Sequence, residues 1–189
     1  MSSIRAFVMT SGLLALAAGI CAGPVEADER IRVPAVTLDD KIPDEASVAA
    51  AFFPENLVET ARDCRVTKCG SVIPDTSVSS TLVTFDRGKA SLTVQSKAFL
   101  DRVGAVLKKR QESFENLVVE GHTDTTGSQE LNRTLSKKRA ESVKTYLASN
   151  FGISNVETVG RASDVLKDKD HPTAAVNRRI EFVITLSGK

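Results

Sequence analysis

The sequence predicts an α/β protein: a two-layer sandwich in which helices pack on a mixed four-stranded sheet. From residue 81 onward, short runs rich in β-forming residues alternate with two longer segments of helical periodicity, in the order β-α-β-α-β-β. Strands that alternate with helices imply at least one βαβ crossover. The 189 residues, 41% hydrophobic and 26% charged, suit one globular domain with a modest extra segment.

The first strand is predicted at TLVTFD, residues 81–86, because this run is short and rich in β-formers. An amphipathic helix follows in SLTVQSKAFLDRVGAVLKKR, residues 91–110, where Phe99, Val103 and Val106 recur at helical spacing. The segment ends in three cations, which suit the negative end of a helix dipole.

The second strand is predicted at NLVVEGH, residues 116–122, and a second helix from about residue 131 to residue 149. Gly152 predicts where this helix stops, because glycine adopts the left-handed backbone conformation at little cost. NVETVG at 155–160 and RRIEFVITL at 178–186 predict the last two strands, which a polar loop joins.

The N-terminus predicts a secretory signal over residues 1–27. Arg5 is followed by an uncharged run to residue 25, and Ala22 and Ala27 are possible cleavage positions. Two alternatives stay open: a retained membrane anchor, and a lipoprotein acylated at Cys21. Polar and glycine residues dilute the apolar run, and Ile20 replaces the small residue expected before an acylated cysteine.

Residues 28–78 form a separate predicted segment that contains four of the six prolines and several acidic residues. A short helix is predicted from Asp44 to Phe52. Cys64 and Cys69 stand in CRVTKC, and we expect them to form a disulfide in an oxidising compartment. The alternative is a metal pair, although two thiols without nearby histidines make only half a zinc site. Residues 79–189 then form the main domain.

A polar constellation follows the second strand. Asp124 lies in a turn-rich run just after the strand. At about 100° per residue, Asn132 and Arg139 share one edge of the apolar stripe of the next helix, and the Arg139 side chain leans back toward Asp124. An acid and a forked cation that converge in this way complement a zwitterion, with Asp124 on the ammonium and Arg139 on the carboxylate. A plain ion pair between Asp124 and Arg139 explains the same residue types.

Three motifs carry a resemblance to a known family. VVEGHTDTTGSQELNRTLSKKRAESVKTYL, GISNVETVGRAS and NRRIEFVI resemble the OmpA-like peptidoglycan-binding domain over residues 80–187. The resemblance implies an OmpA-like sandwich that binds the diaminopimelate of the peptidoglycan stem peptide. It further implies that Asp124 and Arg139 grip this group, that Asn132 lies near the pocket, and that Arg178 lines it. The loop GRASDVLKDKDHP lacks an aromatic residue common in the family, which predicts a looser far wall.

Other classes of site find less support in the sequence. The net charge of +1 gives no reason to expect nucleic acid as a partner. His122, Asp124 and His171 include the residue types of a metal site, but the HTD motif brings only two of them together, so no metal is predicted. Glu120 and Asp124 could form a hydrolytic carboxylate pair, but the chain has no tryptophan and one tyrosine to stack sugars. No cofactor is predicted.

The predicted function is therefore non-covalent peptidoglycan binding by an exported, non-enzymatic protein of the periplasm, in possible association with the outer membrane. Such a protein would tether the envelope or a partner to the cell wall. Two alternatives stay open: an envelope scaffold that recruits a partner protein through residues 28–78, and a peptidoglycan-cleaving enzyme. The choice between a monomer and a homodimer is open as well.

Overall fold

The fold is taken from a computed structural model that describes residues 36–38, 41–55, 75–86 and 88–187. The predicted signal segment, and Cys64 and Cys69 with their predicted disulfide, lie outside the described residues. The strands are β1 (Val36–Thr37), β2 (Asp75–Ser80), β3 (Phe114–His122), β4 (Val156–Ala162) and β5 (Ile180–Leu186). The helices are α1 (Glu45–Phe52), α2 (Val94–Lys109) and α3 (Gln129–Phe151), with short 3-10 turns at Gln111–Ser113 and Ala175–Asn177.

The strands form one mixed sheet in the order β1-β2-β5-β3-β4. β5 is antiparallel to both β2 and β3, whereas β3 and β4 are parallel and are joined through α3. The predicted α/β class, the mixed sheet and the βαβ crossover are therefore confirmed. The two-residue strand β1 lies parallel to β2 and extends the four predicted strands at one edge.

The first predicted strand is displaced along the chain. The strand occupies Asp75–Ser80, and residues 81–86 contribute only an isolated bridge between Phe85 and Leu92. Hydrophobicity misled the prediction because Leu82 and Val83 are buried in the core although they lie outside the strand. β2 itself has one apolar residue, Val78, and is otherwise polar. The predicted domain boundary between residues 78 and 79 falls inside this strand.

Side-chain caps fix where the helices begin. The Asp44 carboxylate accepts a hydrogen bond from the Ser47 amide at 2.7 Å, so α1 begins and ends where the sequence predicts. Thr93 and Ser128 cap α2 and α3 in the same way. Gly152 follows α3 with a φ of 74°, which confirms the predicted left-handed stop.

The core lies between the sheet and the three helices and includes part of the N-terminal segment. α1 buries Val48, Ala51 and Phe52, and the Phe52 and Phe182 rings lie 5.6 Å apart. The described part of residues 28–78 therefore packs on the same core as residues 79–187. None of the helices that the structure describes combines the length and the apolar character needed to span a bilayer.

A close contact between α3 and the sheet positions the site. A Cβ at Gly121 on β3 would lie 2.2 Å from the Ser136 carbonyl oxygen, and a Cβ at Gly160 on β4 would lie 2.8 Å from the Arg133 carbonyl oxygen. Only glycine permits this approach. As a result, the first turns of α3 lie directly over the end of β3, beside Asp124.

Candidate ligand-binding site

Asp124 lies just beyond β3 and is 8% exposed. Its Oδ1 accepts a hydrogen bond from the Thr126 amide at 2.9 Å, which closes an Asx turn, and its Oδ2 accepts one from Arg178 Nη1 at 2.7 Å. Burial raises the pKa of Asp124, but the hydrogen bonds from Arg178 and Thr126 outweigh it and hold the pKa below its ordinary value. Asp124 is therefore ionised at neutral pH.

Asn132 connects the turn to α3. Its Nδ2 donates to the Asp124 carbonyl oxygen at 3.3 Å and to the Thr126 carbonyl oxygen at 3.0 Å. The buried amide thus holds the backbone on both sides of the Asx turn. The structure assigns Asn132 a part in positioning the Asp124 carboxylate.

Arg139 lies on α3 about two helical turns after Asn132, and it is 7% exposed. Its guanidinium stacks on the Phe85 ring, 4.9 Å from the centroid, and its Nε donates to the Lys89 carbonyl oxygen at 3.2 Å. Burial, and to a smaller extent the charge of Arg178, lower the pKa of Arg139. Because the ordinary pKa of an arginine is very high, the side chain still carries its positive charge at neutral pH. Within the described part of the chain, no carboxylate lies within ion-pair distance of Arg139, and neither Nη atom has a hydrogen-bond partner.

The alternative interpretation of a plain Asp124–Arg139 ion pair is therefore wrong. Asp124 pairs with Arg178 instead, which comes from the other end of the domain sequence. Arg178 is 47% exposed and donates through Nη1 alone, to Asp124 and, at 3.4 Å, to the Thr173 carbonyl oxygen.

Asn177 positions Arg178. This fully buried amide accepts hydrogen bonds from the Lys167 and Asp168 amides and donates to three carbonyl oxygens, those of Asp168, His171 and Pro172. It thereby organises the long β4–β5 loop around one side chain. Sequence reasoning missed Asn177, although the asparagine of the NRR motif pointed to it.

The structure brings the four predicted site residues to one place. Asp124, Asn132, Arg139 and Arg178 all line a single surface cavity of about 1200 Å³. Sequence reasoning missed Phe85 and Lys89, which line the same cavity and hold Arg139. No local pattern could reveal them, because they lie 54 and 50 residues away from Arg139 along the chain. Among the described residues, the cavity lining combines one carboxylate with two arginines and two lysines, Lys89 and Lys138.

A second polar cluster lies behind the site. His122 is 2% exposed, and burial and the charge of Arg179 lower its pKa to about 4, so the ring is neutral at pH 7. Its Nε2 lies 3.8 Å from both Glu120 and Glu181, too far for a hydrogen bond. Arg161 and Arg179 form ion pairs with these two glutamates.

The structure does not assemble the other sets of residues considered from the sequence. His171 is exposed and contacts Asp168 at 3.0 Å, in the β4–β5 loop, so it does not join His122 and Asp124 in one cluster. Glu120 accepts two hydrogen bonds from Arg161, and Asp124 is paired with Arg178, so both carboxylates of the considered hydrolytic pair form ion pairs.

Comparison with known proteins agrees with the family resemblance that the sequence motifs indicate. The OmpA family model matches residues 84–180, just over half of the 189-residue chain. Outer membrane protein A of Bordetella avium is 33% identical over 108 residues, which cover 56% of this chain and 55% of the relative. The peptidoglycan-associated lipoprotein of Pseudomonas aeruginosa is 35% identical over 79 residues, covering 40% of this chain and 46% of the relative.

A solved structure is also similar. The peptidoglycan-associated lipoprotein of Burkholderia pseudomallei is 30% identical, with a TM-score of 0.46, covering 54% of this chain and 87% of that one. The chain spans about half of the length of the Bordetella relative, and less of several others. The curated relatives named here are an outer membrane protein and a lipoprotein, both proteins of the cell envelope.

Proposed function

Because the chain belongs to the OmpA family, we propose that it binds peptidoglycan non-covalently, through the zwitterionic end of a diaminopimelate residue in the stem peptide. The observation that carries the proposal is the state of Arg139. It is a buried cation that lines the same cavity as an ionised aspartate, yet no described carboxylate neutralises it. Buried charges are normally paired, so a ligand carboxylate is the missing partner.

The donor and acceptor inventory fits this ligand. The free end of diaminopimelate carries an ammonium and a carboxylate on one carbon. Each Asp124 oxygen accepts one hydrogen bond in the protein and has capacity for a second, which an ammonium can donate. The two unpartnered Nη groups of Arg139 form the fork that a carboxylate accepts.

The protein would act as a tether and perform no chemistry. The carboxylates of Glu120 and Asp124 form ion pairs with arginines, and the charged side chains that line the cavity are suited to bind a charged ligand. We place the protein in the periplasm, in association with the outer membrane, as the names of its relatives suggest. The described part of residues 28–78 buries Val48 and Phe52 in the domain core, which favours a structural role there over partner recruitment.

Co-sedimentation with insoluble peptidoglycan sacculi tests the proposal. We expect the wild-type protein to pellet with sacculi and free meso-diaminopimelate to release it. The Asp124→Ala, Arg139→Ala double variant should stay in the supernatant. Arg133→Gln is the matched control, because Arg133 lies on the same helix in an exposed pair with Asp164, outside the cavity. Undiminished pelleting of the double variant would refute the proposal.

A further inference from the structure

A second cavity adjoins the proposed site. It has a volume of about 520 Å³, and its lining includes His122, Arg139, Arg178 and Arg179. Of the described residues that line it, none is an aspartate or a glutamate. Arg139 and Arg178 line both cavities, so these two guanidinium groups form the boundary between them.

The charges at this boundary do not balance when a zwitterion is bound. Among the described residues that line the 1200 Å³ cavity, Asp124 supplies the single negative charge, against the positive charges of two arginines and two lysines, and a zwitterion adds none. Arg179 does not alter this count, because Glu181 accepts a hydrogen bond from its Nε at 2.7 Å. The occupied site would therefore keep an excess of positive charge, which a second anionic group on the ligand would reduce.

Unused donors face this region as well. Arg178 donates through Nη1 alone, so its Nε and Nη2 have no partner in the described structure. The buried His122 ring lines the 520 Å³ cavity as well. Guanidinium donors without a protein partner at the edge of a cavity are suited to bind a carboxylate of the ligand.

We infer that the ligand carries a second carboxylate, which Arg178 holds at the boundary with the 520 Å³ cavity while Arg139 holds the carboxylate of the zwitterion. This inference rests on the proposed function, since the stem peptide supplies such a group. Its glutamate has a free α-carboxylate, and a tripeptide that ends in diaminopimelate has a C-terminal carboxylate. Both sources present the same chemistry to Arg178.

Calorimetric titration of the purified protein with three peptides tests the inference. The first is L-Ala-γ-D-Glu-meso-diaminopimelate, and the other two are its monoamides at the glutamate α-carboxylate and at the C-terminal carboxylate. All three keep the zwitterionic end. We expect one monoamide to bind at least tenfold more weakly than the parent, which identifies the carboxylate that Arg178 holds. Arg178→Gln should bind the parent and that monoamide with equal affinity, and Arg133→Gln should discriminate as the wild type does.

Two outcomes overturn the inference alone. Equal binding of all three peptides to the wild type would show that no second carboxylate is recognised, and this result needs no variant to fold. If Arg178→Gln weakens all three peptides by one common factor, then Arg178 acts only by orienting Asp124. If the wild type binds none of the peptides and no sacculi, the proposed function fails, and the inference fails with it.

Discussion

Replacement of Arg139 by methionine should separate ligand binding from stability. The side chain is buried, stacks on Phe85 at 4.9 Å and donates one hydrogen bond to Lys89, but no described carboxylate pairs with it. Loss of the stacking and the hydrogen bond removes about 1–3 kcal/mol. Methionine also relieves the cost of a buried, unpaired cation close to Arg178, which is of similar size.

We therefore expect the free energy of unfolding of Arg139→Met to stay within about 1.5 kcal/mol of the wild-type value, because the two effects oppose each other. Binding should change far more. Loss of one partner of a buried charge pair costs about 2–5 kcal/mol, which corresponds to roughly a thirty- to four-thousand-fold weaker affinity for the stem tripeptide.

Urea unfolding and calorimetric titration on the same preparation measure both quantities. Arg133→Gln, in an exposed pair on the same helix, should change neither by a large factor. Unchanged affinity of Arg139→Met would refute the reasoning. So would a loss of more than about 3 kcal/mol of stability, because Arg139 would then be a structural element of the core and not a group reserved for the ligand.

Three further predictions concern the fold around the site. Gly121→Ala places a Cβ 2.2 Å from the Ser136 carbonyl oxygen, so we expect a loss of about 3 kcal/mol or more in urea unfolding; a wild-type midpoint would contradict the close contact of α3 with β3. Asn132→Ala should release the backbone of the turn, and hydrogen exchange at Thr126 should accelerate at least tenfold while the exchange of the core strands is unchanged. The pKa of His122 is about 4 in the folded protein and 6.5 in the unfolded chain, so the unfolded chain takes up the proton first as pH falls. We therefore expect the free energy of unfolding to decline between about pH 6.5 and 4, by about 3 kcal/mol in total. A His122→Gln variant with the same decline would show that another group causes it.

The helices could be predicted from the sequence because their signals are local. Asp44 caps α1, Gly152 ends α3, and the apolar spacing of α2 is visible within one window of residues. The strand β2 could not be predicted in this way. Its single apolar residue, Val78, gives no alternation, and two of its hydroxyls donate to carbonyl oxygens remote in the chain, Thr76 to Phe52 and Ser80 to Leu38.

In the candidate site, too, the sequence predicted the features that have local signals and did not predict those that depend on residues distant in the chain. Helical geometry by itself placed Asn132 and Arg139 on one edge of a helix near Asp124, and the motifs added Arg178. Helical geometry could not predict whether Asp124 forms its ion pair with Arg139 or with Arg178. The ion pair formed with Arg178 because the Asn177 network folds the β4–β5 loop back over the end of β3.

The sequence by itself determined the α/β class and the family and predicted the four residues of the candidate site, because periodicity, caps and motifs are properties of neighbouring residues. Only the tertiary structure decided which charged side chains of that site pair with each other. It stacked Arg139 on Phe85, 54 residues away, and paired Asp124 with Arg178, so that the buried Arg139 guanidinium has no carboxylate partner among the described residues. Pairing of charges depends on distances between elements that are remote in the chain, and these distances exist only once the sheet and helices have packed.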